Sequence, residues 1–167
     1  MAKRETTEER VKETQLVIFK LREEEFAAEI SSVLEISRYL EITHLPEAPG
    51  FVEGVVNLRG QVIPVIDLAR QFGLKTLTER PKTARIVVAE IGGEILGILV
   101  DEVPEVLRIP ENQIEPTPEL IHGDEKREYV KGVAKLGERL VVVLDLEKLL
   151  RPQELEQAGK LQSKGKA

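Results

Sequence analysis

Gly54-Val55-Val56-Asn57-Leu58-Arg59-Gly60-Gln61-Val62-Ile63-Pro64-Val65-Ile66-Asp67-Leu68 decides the fold, because it is the most patterned stretch of the chain and it returns, altered, near the C-terminus. Two β-branched runs, 54–58 and 61–66, flank Arg59-Gly60. That pattern predicts a tight hairpin in which glycine supplies the positive φ of a short turn, with Arg59 at an exposed tip. Asn57 and Gly60 shape the turn. Asp67 then precedes a short apolar-periodic segment that ends at Gly73, the signature of a capped, brief helix.

The same grammar recurs at Gly132 to Leu146, where glycine, valine, leucine, aspartate and leucine coincide with the first copy at a constant offset of 78 residues. Asp145 stands where Asp67 stood and predicts a second cap. A weaker echo at an offset of 70 pairs Leu16-Val17-Ile18-Phe19 with Ile86-Val87-Val88-Ala89, and Ile30, Val33 and Glu35 with Val100, Val103 and Glu105. The chain therefore reads as an internal duplication, with the extra residues of the second half assigned to a longer connection at Pro110 to Glu128. At the tip the second copy has Gly137-Glu138 in place of Arg59-Gly60. Whatever Arg59 does is not required by the fold alone.

Working outward, Met1 to Thr14 is almost wholly polar and is expected to be a frayed lead, 1–14. Gln15–Leu21 and Phe26–Ile30 predict a first hairpin, and Ser31 to Ile36 a one-turn helix with Glu35 near its third position. Tyr39–Leu45 is expected to be a short strand. Pro64 interrupts its run and is expected to mark an edge or a bulge. Arg85–Ile91, Gly92-Gly93 and Glu94–Val100 give a clear hairpin, and Asp101 to Ile109 short pieces around Pro104. Asp101-Glu102 reads as a solvated turn. A final helix capped by Asp145 is expected to end before Pro152, followed by a tail that is amphipathic and then disordered over 163–166.

Many short strands with frequent turns and helices of one or two turns indicate an all-β class, with no room for the crossover helices of a parallel α/β sheet. The predicted subdomains are two intertwined barrels over about 15–84 and 85–150, with 151–167 as helix end and disordered tail. Halves of about seventy residues would each have a marginal core, so a joint core is expected.

Composition narrows the function. The chain has 167 residues, a net charge of −6, no cysteine and no tryptophan. The net negative charge disfavours nucleic acid, which needs a basic surface, and scarce aromatics disfavour an RNA-binding barrel. Lack of cysteine excludes disulfides and thiolate sites. The 32% charged residues and single methionine lean towards a thermophile's composition. No secretory signal or run of about 20 apolar residues is present, so a cytoplasmic protein without membrane insertion is expected. No phosphate loop, HExxH or nucleophile elbow occurs, and catalytic residues, metal and cofactor are all expected to be none. His44 and His122 each stand alone in predicted loops, and Asp67 and Asp145 are explained by capping. Arg59 stays open between an exposed charge, a surface salt bridge and a binding anchor. Val33, Leu34 and Ile36 stay open between core and docking ridge.

The stretch Gly54 to Leu68 closely resembles the signature of the CheW chemotaxis coupling proteins, which have Gly-Val-x-Asn-Leu-Arg-Gly-x-Val-Ile-Pro-Val-x-Asp-Leu. The approach Pro46 to Val55, Glu35-Ile36, Leu99-Val100-Asp101 and Leu144 to Leu150 follow the same pattern from about Gln15 to Leu150. The resemblance implies two five-stranded SH3-like barrels over a hydrophobic interface. It also implies a non-catalytic adaptor, monomeric when free, that joins the cytoplasmic tip of transmembrane chemoreceptors to the regulatory domain of the CheA histidine kinase. It assigns Arg59, Val33, Glu35, Ile36 and Val106 to the receptor surface, and Ile42 and Gly54 to kinase binding. A receptor helical hairpin is then expected in a groove between the halves. The alternative is a small β-barrel enzyme or ligand sensor that uses Arg59 as an anion anchor.

Overall fold

The structure is a computed structural model that describes residues 12–116 and 129–166, with side chains to Leu161 in the last helix. The expected connection 110–128, His122 and most of the N-terminal lead lie wholly or partly outside the described residues. Eleven strands carry the described part: β1 (Glu13–Leu21), β2 (Glu24–Glu29), β3 (Val33–Arg38), β4 (Val52–Leu58), β5 (Gln61–Asp67), β6 (Arg85–Ile91), β7 (Glu94–Val100), β8 (Glu102–Pro110), β9 (Ile114–Glu115), β10 (Val130–Leu136) and β11 (Arg139–Leu144). Helix α1 spans Leu68–Gln71 and helix α2 Pro152–Lys166.

They form two barrel-like sheets, a six-stranded one in the order β8-β1-β2-β11-β10-β9 and a five-stranded one in the order β3-β6-β7-β5-β4. The sheets cross the expected boundary at 84/85. β3, from the first repeat, pairs with β6 of the second, and β8, from the second, pairs with β1 of the first. The repeats thus exchange their first hairpins, β1–β2 for β6–β7, and the sequence boundary marks the duplication, not the barrels.

The duplication itself is visible in the backbone. β4–β5 and β10–β11 are hairpins with a register shift at Val52/Gly54 in one and Val130/Gly132 in the other. β5 then pairs in parallel with β7 as β11 does with β2. Both glycines are required by close approach: a Cβ on Gly54 would collide with the Thr43 carbonyl, and one on Gly132 would stand 2.5 Å from the Glu115 carbonyl oxygen.

Four local expectations give way. Ser31 to Ile36 is not a helix: a 3-10 turn at Ile30–Ser32 leads into β3. Alternation of Leu34, Ile36 and Arg38 with Val33, Glu35 and Ser37 suits a strand, and the ladder to β6 satisfies its backbone. Tyr39–Leu45 makes only the single bridge Thr43↔Val55. Pro64 sits in an interior strand. Val55 exchanges both its backbone hydrogen bonds with Thr43 (2.8 and 2.9 Å), so its partner Pro64 turns its nitrogen away from β4. That side carries no ladder until Val65 meets Gly97 on β7, and the missing N–H leaves nothing unpaired. Asp101 to Ile109 is largely one nine-residue strand, β8, at the edge of its sheet, where Pro104 is tolerated.

The C-terminus also differs. Asp145 caps a 3-10 turn at Leu146–Lys148 by accepting from the Glu147 amide at 3.0 Å. Pro152, expected beyond a helix, opens α2, where its fixed φ suits the first turn and its missing N–H costs no bond. The Glu154 carboxylate accepts from the Arg151 amide at 2.9 Å, completing the cap.

The core explains why the two sheets form one body. Barrel interiors hold small clusters, Leu16, Ile18, Ala27, Ile109, Ala134, Val141 and Val143 in one, and Val56, Ile63, Val65, Ile86, Val88 and Leu99 in the other. A larger cluster of 18 buried residues lies between them and draws on both sheets, from Phe19, Leu21 and Phe26 to Ile66, Val87, Leu96 and Ile98. Phe19, Phe26, Phe72 and Tyr129 form a string of rings with successive centroids 6.1, 5.4 and 5.1 Å apart. The expected joint core is the largest of the three.

A polar clamp reinforces it. Asp101 is buried, not a solvated turn: its carboxylate accepts from the Arg22 amide at 2.5 Å and from the Arg22 guanidinium at 2.8 and 3.0 Å. Arg22 holds the left-handed φ of 62° in the β1–β2 turn and donates its Nε–H to the Lys75 carbonyl. Three segments meet at one side chain. The repeat-equivalent turn residue, Gly92, donates its amide to Glu147 at 3.2 Å.

Replacing Gly132 by Ala should lower stability by roughly 1–3 kcal/mol, as overpacking against fixed backbone does. Urea denaturation checks this; an unchanged midpoint would mean that the strand after β8 is free to move aside.

Candidate functional site

The β4–β5 turn places Arg59 by backbone conformation. Arg59 and Gly60 have φ of 54° and 87°, both positive as a type I′ turn requires. The Asn57 carboxamide oxygen accepts from the Gly60 amide at 2.7 Å and closes the loop. A non-glycine residue in this region is uncommon, and arginine has no local hydrogen bond to compensate as asparagine would. In the second copy only Gly137, with φ of 66°, is left-handed, and Glu138 is not. The strained arginine belongs to one repeat.

Arg59 is 76% exposed and donates to Glu35 on β3 at 2.7 Å. Beside this pair runs a shallow cleft of about 380 Å³, lined by Glu35, Ile36, Ser37, Arg38, Leu40, Asn57, Leu58 and Arg59. Leu34, Ile36 and Tyr39 present exposed apolar surface along and just after β3. The arrangement is a rigid cation with its stem fixed by a turn, a carboxylate that orients it, and an apolar strand alongside. Such a surface suits a protein partner with an apolar ridge and a hydrogen-bond acceptor.

Of the expected receptor residues, Arg59, Glu35 and Ile36 come together. Val33 is half-buried against the inter-barrel cluster and lies outside the cleft. Val106 is exposed on β8 of the other sheet, at the repeat position of Ile36. Ile42 and Gly54 are adjacent: Ile42 packs against the five-stranded interior, and its Cγ2 would stand 2.6 Å from a Cβ on Gly54. Asp67 caps α1 by accepting from the Arg70 amide at 3.4 Å and meets Arg80 at 3.2 Å. His44 contacts the Glu53 carbonyl at 2.9 Å in an exposed position.

Sequence reading missed three features. Tyr39 extends the apolar line of β3, and the helical reading of Ser31–Ile36 hid that line. Leu140 is exposed on β11. Beside it Arg139 donates to Glu25 at 2.9 and 3.0 Å and to Glu105 at 2.9 Å, and these bonds, Glu25 first, raise its pKa further above the ordinary guanidinium value. Glu105 is the repeat counterpart of Glu35, so each sheet has an arginine–glutamate pair, but only the first arginine rides on a strained turn. The offset of 70 was the available signal.

For an anion site the geometry is poor, because Arg59 already faces a carboxylate. Among the described residues no group of three or more His, Cys, Asp or Glu side chains could hold a metal ion, and no helix is long and apolar enough to cross a membrane.

Comparison with known proteins gives one consistent result. The family model described as CheW-like domain matches residues 15–154. A probable chemotaxis protein CheW of Rhizobium etli is 37% identical over 146 residues, covering 86% of this chain and 92% of that protein. Chemotaxis protein CheW of Thermotoga maritima is 34% identical, with 87% and 93% covered. The crystal structure of scaffolding protein TtCheW from Thermoanaerobacter tengcongensis superposes with a TM-score of 0.75 at 38% identity, covering 86% of this chain and 96% of that one.

Arg59→Ala should leave the thermal midpoint nearly unchanged, since an exposed pair contributes about 0–1 kcal/mol and loss of a left-handed arginine removes no core contact. Asp67→Ala should instead cost about 1 kcal/mol through its cap. A calorimetric scan of both variants checks the contrast; a large loss for Arg59→Ala would make the turn structural.

Proposed function

The chain belongs to the CheW-like family, and from that premise we propose that it is a non-catalytic cytoplasmic adaptor of chemotaxis, coupling transmembrane chemoreceptors to the CheA histidine kinase. The observation that carries this reading is Arg59, held left-handed at the tip of the family signature, 76% exposed, oriented by Glu35 and flanked by the apolar line of β3. A protein that needed only its fold would put glycine or asparagine there, as the second copy puts Gly137.

In this reading the receptor's cytoplasmic tip lays a helical hairpin against Arg59, Glu35 and Ile36, with Val33 behind them and Val106 reached on the other sheet. The hydrogen bond that Arg59 now gives Glu35 is shared with or passed to an acceptor on the receptor helix. The kinase's regulatory domain, itself a CheW-like fold, docks where Ile42 seats against Gly54, so its barrel meets the five-stranded sheet on the flank of β4. Because Gly54 lies near the start of β4 (Val52–Leu58) and Arg59 directly follows its end, the two partners address opposite ends of one strand. Coupling is then mechanical proximity on a stiff hairpin and needs no chemistry from the adaptor. The subdivision that fits this role is two barrels that exchange strands across 84/85.

The test is a binding assay of the purified chain with a receptor cytoplasmic fragment and with the kinase's C-terminal region. Wild type should bind both. Arg59→Ala should lose about 2 kcal/mol of receptor affinity, roughly 30-fold, as a central anchor does, and keep the kinase. Unchanged receptor affinity in the variant would remove Arg59 from the interface, and a wild type that binds neither would sink the adaptor reading.

A further inference from the structure

Arg38 ends the exposed line of β3 with a charge that the fold leaves unanswered. Residues directly opposite each other in an antiparallel ladder share a face, and the β3–β6 register sets Ile36 against Val87 and Arg38 against Arg85. Val87 is buried in the inter-barrel cluster, whereas Ile36 beside it is 39% exposed. The outer face of β3 is therefore a rim of the inter-barrel layer, apolar at Ile36 and basic two residues further on.

Two arginines directly across a ladder repel each other. Arg85 folds back along its own strand end, where its guanidinium donates to the Ala84 and Thr83 carbonyls at 2.8 and 3.1 Å. Those bonds neutralise no charge. Arg38 is exposed and makes neither an ion pair nor a side-chain hydrogen bond among the described residues. The carboxylate three residues before it, Glu35, is engaged by Arg59 at 2.7 Å. In a chain whose net charge is −6, this end of β3 is a local concentration of positive charge, and Arg38 lines the same cleft as Arg59. The repulsion does nothing for the fold, but it favours any carboxylate brought in from outside.

We propose that Arg38 is a second anchor for the receptor helix and selects for a carboxylate on it. Successive outward positions of a strand lie about 7 Å apart, and one turn of helix rises about 5.4 Å. A helix lying along β3 thus meets Ile36 and Arg38 with residues one turn apart. The matching segment carries an apolar residue over Ile36 and an aspartate or glutamate three or four positions away over Arg38. Arg59, whose charge is already shared with Glu35, fixes where the helix lies; Arg38 reads the charge that the helix carries. This rests on the reading of the Arg59 face as the receptor surface and adds a determinant of which receptors are accepted.

The test compares wild type, Arg38→Glu and Arg38→Lys for binding to a receptor cytoplasmic fragment and to the kinase's C-terminal region. Arg38→Glu should lower receptor affinity at least about tenfold and Arg38→Lys less than about threefold, with kinase binding unchanged in both. The thermal midpoint of Arg38→Glu should stay level or rise, since a carboxylate opposite Arg85 turns a repulsive cross-strand pair into an attractive one. That separates lost recognition from lost folding. Each acidic residue of the receptor tip is then reversed to lysine in turn, and one reversal should weaken binding of wild type and restore binding of Arg38→Glu. Receptor affinity unchanged by Arg38→Glu, or no reversal that rescues it, overturns the proposal. If Arg59→Ala loses receptor affinity and Arg38→Glu does not, this inference alone falls; a wild type that binds no receptor fragment takes the adaptor reading down with it.

Discussion

An apolar layer shared between two sheets is the constraint on which everything else here depends. Neither repeat is large enough to build a sufficient core alone, and neither tries: the interior clusters are small, and the largest buried cluster lies between the sheets. The strand exchange follows from the same need. With β3 laid on β6 and β8 on β1, each sheet contains ladder hydrogen bonds to the other repeat, so the two halves cannot separate without breaking backbone pairing as well as exposing apolar surface. The Arg22–Asp101 clamp closes the arrangement at a place where three segments meet.

That constraint reaches the candidate surface. Glu35 and Ile36 lie on β3, whose position is set by β6 of the other repeat, while Arg59 is set by its own hairpin. The pair at 2.7 Å therefore reports the registration of the whole fold, and a surface of this kind is rigid because its two sides are fixed by different parts of the chain. Within the family reading, rigidity is the useful property: an adaptor without chemistry transmits only geometry, and a strained, well-supported turn is a good place to hold it.

The hairpin signals were legible in the sequence because their chemistry is local. Arg59-Gly60, Gly92-Gly93 and the aspartate caps need only a few neighbouring residues to be recognised, and the offsets of 70 and 78 carried the duplication. What stayed hidden was set by partners distant in the chain. Ser31 to Ile36 has a helix-start pattern, and only β6, some fifty residues on, turns it into a strand. Asp101 looks solvated until Arg22, 79 residues away, is brought to it. Pro64 seems to forbid an interior strand until the side its nitrogen faces is known. Pro152 could end one helix or begin another, and packing of Leu155 and Ala158 decided for the second. The candidate surface was legible through the family signature in Arg59, Glu35 and Ile36; the period-two exposure of Leu34 and Ile36, continued by Tyr39, was not, because the local helix reading concealed it.

Coupling itself is the central claim, and the most direct measurement is kinase autophosphorylation in a reconstituted mixture of kinase, receptor fragment and this chain, with each component omitted in turn. The account predicts that receptor state changes the phosphorylation rate only when the chain is present. A receptor effect of equal size without the chain, or none with it, would contradict the account.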